Sequence, residues 1–300
     1  MLASFVEGEL DAEYRNCIAT PRVVASPKTE AELAALIGRA RKLRVVGAGH
    51  SFMPLCETDG TLVSLAELEG ELTFNADKTR VWAPAGWSLA KLTAKLWDEG
   101  VSLINQGDVN PQALAGAIAT GTHGTGANLG SLSTAARGFR LMLADGAVVT
   151  CSEAENPDLF QAQRLSLGLL GVATRIEIDV LPAYNLEERV ESHPLDAIAE
   201  RWDELVAQNR HVEFFVFPYG DHVALKTLNP APSEGPLKKM TDMDDKLFKL
   251  VCDVCAFAPW LTRRLQPVII SPGVKQRRVG PAYQIFPSDR TVKFEEMEYE

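Results

Sequence analysis

The chain has 300 residues, with 40 acidic and 30 basic side chains and a formal net charge of −10, which argues against nucleic acid and against an anionic membrane surface as partners. A hydrophobic fraction of 46% with 23% charged residues is the make-up of a folded chain with a sizeable core, and the length suggests two domains at about 150 residues each. No apolar run nears the roughly 18 residues that cross a bilayer, Glu7 and Glu9 stand where a signal peptide carries bases, and five scattered cysteines make no disulfide framework, so a reducing cytoplasm is the expected compartment.

Short strands alternate with short helices up to Pro182. Thr29 to Ala40 reads as a helix, with Thr29 and Glu32 as a capping box and Leu33, Leu36, Ile37 and Ala40 on one face. Arg44 to Val46 reads as a strand running into Gly47-Ala48-Gly49-His50, and Thr61 to Leu65 as another. Leu72 to Phe74 and Arg80 to Trp82 flank a polar turn, the pattern of a hairpin. Ser88 opens a second helix, with Leu89, Leu92, Leu96 and Trp97 inward and Gly100 past its end. Asn110-Pro111 predicts the start of a brief helix, interrupted by Gly116. Arg140 to Leu143 and Ala147 to Thr150 form a hairpin across Asp145-Gly146. Val172 to Val180 alternates as a half-buried strand that Pro182 ends.

Beyond Pro182 the texture changes, and a domain boundary is expected there. Asn185 to Glu191 and His211 to Pro218 read as strands, and Leu195 to Gln208 as one helix. Asn229 to Pro236 reads as a turn-rich loop, and Met240 to Arg264 as mostly helical. Thr291 to Glu300 reads as a strand that stops in mid-run, so the second domain is expected to be incomplete.

Two glycine-rich turns carry the chemistry. In Val46-Gly47-Ala48-Gly49-His50-Ser51-Phe52, glycines at a strand's carboxyl end let backbone N–H groups approach a phosphate. Phe52 stands where a dinucleotide fingerprint has its third glycine, which argues against a nicotinamide turn. The second turn, Gly121-Thr122-His123-Gly124-Thr125-Gly126, offers three glycines, two hydroxyls and an imidazole. Each segment alone is also readable as a tight turn, but two in one domain, each with a histidine, favour a ligand. A zinc site from His50 and His123 lacks further ligands at metal spacing. Cys252-x-x-Cys255, in an apolar helical stretch, reads as buried core.

VGAGHSFMPL from Val46 to Leu55, followed by Asp59-Gly60-Thr61, resembles the pyrophosphate loop of the vanillyl-alcohol-oxidase/p-cresol-methylhydroxylase (PCMH) flavoproteins. Asn110-Pro111-Gln112, through Ala115 to Ile118, to Gly121–Gly126 is similar to their second flavin segment, and Gly171 to Thr174 to a third. The resemblance covers residues 20 to 182 and looks closest to the sugar-1,4-lactone oxidases and the alditol oxidases. Phe214 to Gly220 and Lys293 to Glu300 resemble segments of their substrate cap.

The resemblance implies an α+β fold: a two-subdomain, PCMH-type FAD-binding domain over 1–182, then an α+β substrate cap over 183–300 that is C-terminally incomplete. It implies FAD contacts at Val46, Gly47, Ala48, Gly49, His50, Ser51, Phe52, Gly107, Asp108, Gly116, Thr120, Gly121, Thr122, His123, Gly124 and Val172. His50 matches the histidine bonded to the flavin 8α-methyl group in covalent members, with a non-covalent contact as the alternative. Gly107 matches a small residue beside the flavin's reactive edge, where in the family an alanine is associated with poor oxygen access, so oxidase behaviour is expected; a plain turn glycine is the alternative. Glu298 matches the family's acidic substrate contact, but Glu300 stands where relatives often carry arginine.

The implied reaction is oxidation of a CH–OH group of a sugar-1,4-lactone, of the D-arabinono or L-gulono type, with O2 as acceptor. The alternatives are an alditol substrate, or a flavin-binding fragment without catalysis. A nicotinamide-oxidising reductase on the same fold is disfavoured by His50. The expected partners are therefore a lactone or polyol and O2, with no metal, no nucleic acid and no transmembrane segment in this chain. Membrane association is left to a longer protein.

Overall fold

A computed structural model of the chain describes residues 5–6, 9–10, 20–51, 53–216, 219–232, 242–269 and 275–287. The described residues form two units: one holds those up to Gly124 together with Gly130–Pro182, the other holds Thr125–Leu129 and those from Ala183 onward.

In chain order the first unit carries β1 (Phe5–Val6), β2 (Glu9–Leu10), β3 (Val23–Ala25), α1 (Glu30–Arg39), β4 (Leu43–Val46), β5 (Thr61–Ser64), β6 (Thr73–Phe74), β7 (Arg80–Pro84), α2 (Leu89–Asp98), β8 (Val101–Leu103), α3 (Leu114–Ala119), α4 (Leu132–Ala135), β9 (Ala136–Met142), β10 (Val148–Ser152), α5 (Pro157–Gln163) and β11 (Val172–Pro182). Two sheets organise it. A parallel sheet in the order β3-β5-β4 is packed by α1. A larger antiparallel sheet in the order β10-β9-β11-β7-β6, with β8 on β11, holds the main core.

Local sequence explains most of these elements. Thr29 Oγ1 accepts the Glu32 N–H at 3.2 Å, and Leu33 and Ile37 bury the α1 face. Ser88 Oγ caps α2 through the Lys91 N–H, and Leu89, Leu92 and Leu96 are fully buried. Gly100 takes φ +77° just past the helix, the left-handed conformation that ends helices. The Asp145-Gly146 hairpin pairs Met142 with Val148. Glu30, at the start of α1, joins the two sheets. Its carboxylate accepts two hydrogen bonds from Arg140 of β9, at 2.9 and 2.8 Å, and one from Thr174 of β11, at 2.6 Å.

One helix start is corrected. α3 begins at Leu114, not at Pro111, because residues 110–112 are spent on α2. The Asn110 and Gln112 carbonyls accept the Ala90 and Leu89 N–H groups, and Ala113 bridges Ser88. Gly116 lies inside α3 rather than interrupting it.

The second unit carries β12 (Asn185–Pro194), α6 (Leu195–Glu200), α7 (Trp202–Gln208), β13 (His211–Phe215), β14 (His222–Ala231), α8 (Asp242–Phe257), α9 (Thr262–Ile269), β15 (Lys275–Pro281) and α10 (Ala282–Ile285). Its antiparallel sheet runs β13-β14-β12-β15. Ile198 and Leu205 bury the helical pair against Val223 and Leu225 of that sheet.

Three expectations change here. The single helix from Leu195 to Gln208 breaks at Arg201, whose backbone sits at φ −111°, ψ 12° after an Arg201 N–H to Ile198 carbonyl bond closes the first helix. The expected loop from Asn229 starts later: Asn229, Pro230 and Ala231 continue β14 opposite β12. β13 pairs with β14 only as far as Leu228, so Pro230 sits where one flanking strand has ended, a position that tolerates proline. Cys252 is exposed and Cys255 half-buried, so the Cys-x-x-Cys pair is not core. The expected strand Thr291 to Glu300, with Glu298, lies outside the described residues, as do Phe217 and Pro218. Among the described residues no helix is long and apolar enough to cross a membrane.

Candidate cofactor site

A cavity of about 580 Å³ opens within the first unit, inside the range of small-molecule and cofactor sites. One wall is the turn after β4, Gly47 to Ser51, delivered by a parallel strand whose partner is the buried β5. Gly49 has φ +76°, which a residue with a Cβ rarely adopts. A second wall is α3 with the segment before it, from Asn110 to Thr120. The third comprises Gln163, Ser166 to Gly168, Val172 and Ile176.

The structure therefore brings Val46, Gly47, Ala48, Gly49, His50, Ser51, Gly116, Thr120 and Val172 together around one cavity. Phe52 lies outside the described residues. Gly107, Asp108, Gly121, Thr122, His123 and Gly124 do not line the cavity.

Most of that second group forms a cluster of its own. A Cβ on Gly124 would come 2.2 Å from the Gln106 carbonyl oxygen and 2.6 Å from Asn105 Oδ1, so only glycine permits this approach. A Cβ on Gly107 would come 3.2 Å from the His123 carbonyl oxygen and from Thr122 Cγ2. Asn105 Oδ1 accepts the Gln106 N–H at 2.9 Å, and its amide donates to the Gly130 carbonyl at 3.2 Å. His123 is exposed, with Nδ1 2.9 Å from the Gly124 carbonyl oxygen, so Nδ1 is the protonated nitrogen. Among the described residues there is no group of three His, Cys, Asp or Glu side chains placed to hold a metal.

One observation tests whether FAD suits the cavity. Gly116 lines it in mid-helix, yet a Cβ there would meet nothing within 4 Å. The protein's own packing does not demand glycine at this point, but a ligand lying against the helix would. Gln163 is only 4% exposed, lines the same cavity, and keeps Oε1 without a partner among the described residues. That oxygen is itself buried from solvent, so it faces the protein interior and not a ligand in the cavity. The residues present fit FAD.

Sequence reasoning missed Gln163, Ser166, Trp87 and Lys91 on the cavity wall. Only Trp87 and Lys91 had a signal, since they flank the Ser88 cap. It also missed the buried polar groups of the second unit. His211 is 1% exposed. Its Nδ1–H donates to the Thr125 carbonyl oxygen at 3.0 Å, and its ring stands edge-on to Phe286. Burial, with Arg210 and Lys226 nearby, holds its pKa down to about 4, so it is neutral at pH 7. Glu188 accepts two hydrogen bonds from Arg278 at 2.8 Å, and Lys226 pairs with Glu213 at 2.9 Å.

Residues 21–152 match the family model of an FAD binding domain, and residues 176–300 match that of D-arabinono-1,4-lactone oxidase. An L-gulono-1,4-lactone dehydrogenase from Mycobacterium tuberculosis is 34% identical over 94% of this chain and 68% of its own length. A mouse L-gulonolactone oxidase (Mus musculus) is 31% identical over 73% of this chain and 52% of its own length. A D-arabinono-1,4-lactone oxidase from Yarrowia lipolytica is 33% identical over 68% of this chain and 40% of its own length. The matched part of this chain thus spans about half or less of these two oxidases. Among solved structures, a cholesterol oxidase from B. sterolicum shares the fold, with a TM-score of 0.69 and 18% identity, covering 89% of this chain and 56% of that one.

Proposed function

This chain belongs to the FAD-dependent sugar-lactone oxidoreductases, and we propose that it oxidises a CH–OH group of a sugar-1,4-lactone of the D-arabinono or L-gulono type. The observation that carries this reading is the cavity that gathers the Gly47–Ser51 turn, Gly116 and Val172 in a chain with these relatives. We read residues 1–182 as the FAD-binding domain and 183–300 as the substrate cap.

When bound, FAD would supply the redox chemistry: it would take the hydride from the substrate's hydroxyl carbon as the hydroxyl proton is lost, and O2 would take up the two electrons and two protons as H2O2. The chain's own residues bind and orient. The Gly47–Gly49 turn offers backbone N–H groups to the pyrophosphate. His50, half-buried at the cavity wall, would carry the covalent link to the flavin 8α carbon, in place of one of its hydrogens. Gly107 is assigned to the oxygen path and Glu298 to the substrate contact from the family resemblance. In this reading Thr120 contacts the cofactor from the cavity wall, while Asp108, Gly121, Thr122, His123 and Gly124, which do not line the cavity, are assigned cofactor contacts from the family resemblance alone. O2 is the acceptor proposed here, although the relatives include both oxidases and a dehydrogenase by name. The compartment proposed for the chain is a reducing cytoplasm.

The test is anaerobic mixing of the flavin-loaded protein with D-arabinono-1,4-lactone, L-gulono-1,4-lactone, an alditol and NADPH in turn. Bleaching of the flavin by a lactone supports the reading. Bleaching only by the alditol moves the substrate class, bleaching only by NADPH makes the chain a reductase, and no bleaching leaves a flavin-binding module.

A further inference from the structure

The turn between α5 and β11 carries a residue that its backbone does not favour. The Leu169 N–H donates to the Ser166 carbonyl at 3.0 Å, which closes a four-residue turn over Leu167 and Gly168. Both central residues have positive φ, +52° at Leu167 and +71° at Gly168, the combination of a type I′ turn. Asn, Asp or Gly is the ordinary first central residue of such a turn, because a leucine Cβ crowds the backbone there. The turn is held on both sides. The Gly168 N–H donates to Ser166 Oγ at 3.3 Å, and the Leu167 N–H donates at 3.3 Å to the carbonyl of Ala119, the last residue of α3.

Among the described residues, two others without glycine's freedom have positive φ, Asn156 and Lys78. Asparagine is a type that tolerates this region. Lys78 has a use for its side chain, whose ammonium lies 3.3 Å from the Glu99 carboxylate and 5.2 Å from the centre of the Phe74 ring. Leu167 has neither reason. Among the described residues it joins none of the first unit's hydrophobic clusters, and it is 45% exposed. It does line the cavity, together with Ser166 and Gly168. The backbone thus bears strain for an apolar side chain that the fold leaves half in water at the wall of a cofactor-sized cavity.

We infer that Leu167 is an apolar contact for a ring of FAD in this cavity. The inference rests on the reading of the cavity as an FAD site. FAD has two flat ring systems, the adenine and the isoalloxazine, and a leucine covered by the face of either leaves water. Gly116 is the converse case on the same cavity: there the helix would accept a side chain and the ligand would not, whereas here the turn would accept asparagine and the ligand keeps leucine.

Flavin-free melting and FAD titration test this together. Every chain carries His50→Ala, so that binding stays reversible. Leu167→Asn suits the turn and removes the apolar contact. Without FAD it melts about 2–4 °C above its parent. It binds FAD about tenfold more weakly, the effect of losing the burial of half a leucine side chain. Leu167→Met keeps an apolar side chain of similar volume and binds like its parent. ADP titration of the same chains identifies the ring: a loss shared by ADP puts the leucine on the adenine, and a loss confined to FAD puts it on the isoalloxazine. Equal FAD affinity of Leu167→Asn and its parent overturns the inference while leaving the FAD reading intact. So does a flavin-free melting temperature that fails to rise in Leu167→Asn, because the fold itself then uses the leucine. FAD uptake by neither the parent nor the unsubstituted chain overturns the reading and the inference together.

Discussion

Gly116→Ala separates what the fold needs from what the ligand needs, because the two effects have opposite signs. Gly116 lies inside α3, and a Cβ built on it meets no atom within 4 Å. Without ligand the substitution is therefore a gain: alanine is favoured over glycine in a helix interior by about 0.5–1 kcal/mol. For a domain of this size each kcal/mol raises the melting temperature by about 2–4 °C. With FAD present the same methyl group projects into the cavity. Filling packed space with one extra carbon costs about 1–3 kcal/mol, equivalent to about 5- to 150-fold in affinity. The assay has two parts, with His50→Ala in both chains to keep the flavin exchangeable. Melting of the flavin-free proteins should favour Gly116→Ala, and FAD titration should favour its parent. Unchanged affinity would place the cofactor away from α3. A lower melting temperature without flavin would mean that the helix interior is not as described.

Three further outcomes follow from named contacts. Glu30→Gln removes the charge that accepts from Arg140 and Thr174. Both ion partners are at least a third exposed, so the loss is about 1 kcal/mol at pH 7. Arg140 and Thr174 hold the Glu30 pKa below its ordinary 4.5. The contribution is therefore fully present above that value and is lost as pH falls through the lower folded value, so the melting difference between the two proteins should vanish in acid. A gap that persists in strong acid would contradict the ion-pair account. Gly124→Ala forces a methyl group to within 2.2 Å of the Gln106 carbonyl oxygen and should cost about 1–3 kcal/mol or more by chemical denaturation; an unchanged midpoint would show that the two segments are not in contact. Gly107→Ala fits tightly, with 3.2 Å to the His123 carbonyl oxygen, and should slow reoxidation of the reduced flavin by O2 about tenfold, or about 1.4 kcal/mol of barrier. Reoxidation at the parental rate would remove Gly107 from the oxygen path.

What could be read from the sequence was local. The caps Thr29 and Ser88 and the Asp145-Gly146 turn are decided by neighbours within a few residues, and each lies where its pattern put it. The Gly47–Ser51 turn was legible for the same reason, since a strand and its glycines are contiguous. The rest depends on distant partners. Pro111 looks like a helix start until Ala90 and Leu89 claim the carbonyls beside it. Pro230 argues for a loop until β12 pairs with it and β13 stops short. Glu30 meets Arg140 across 110 positions and His211 meets Thr125 across 86. No periodicity records such contacts. Gln163 is a case within the site, because its place on the cavity wall is visible only in the fold.

The most direct measurement is acid precipitation of the protein expressed with riboflavin available, alongside His50→Ala. The account predicts a yellow pellet for the parent and a colourless one for His50→Ala, the mark of a flavin bonded to that histidine. Yellow in the parent's supernatant alone would contradict the covalent bond and leave His50 a non-covalent contact. No flavin in either fraction would contradict the account of the cavity itself.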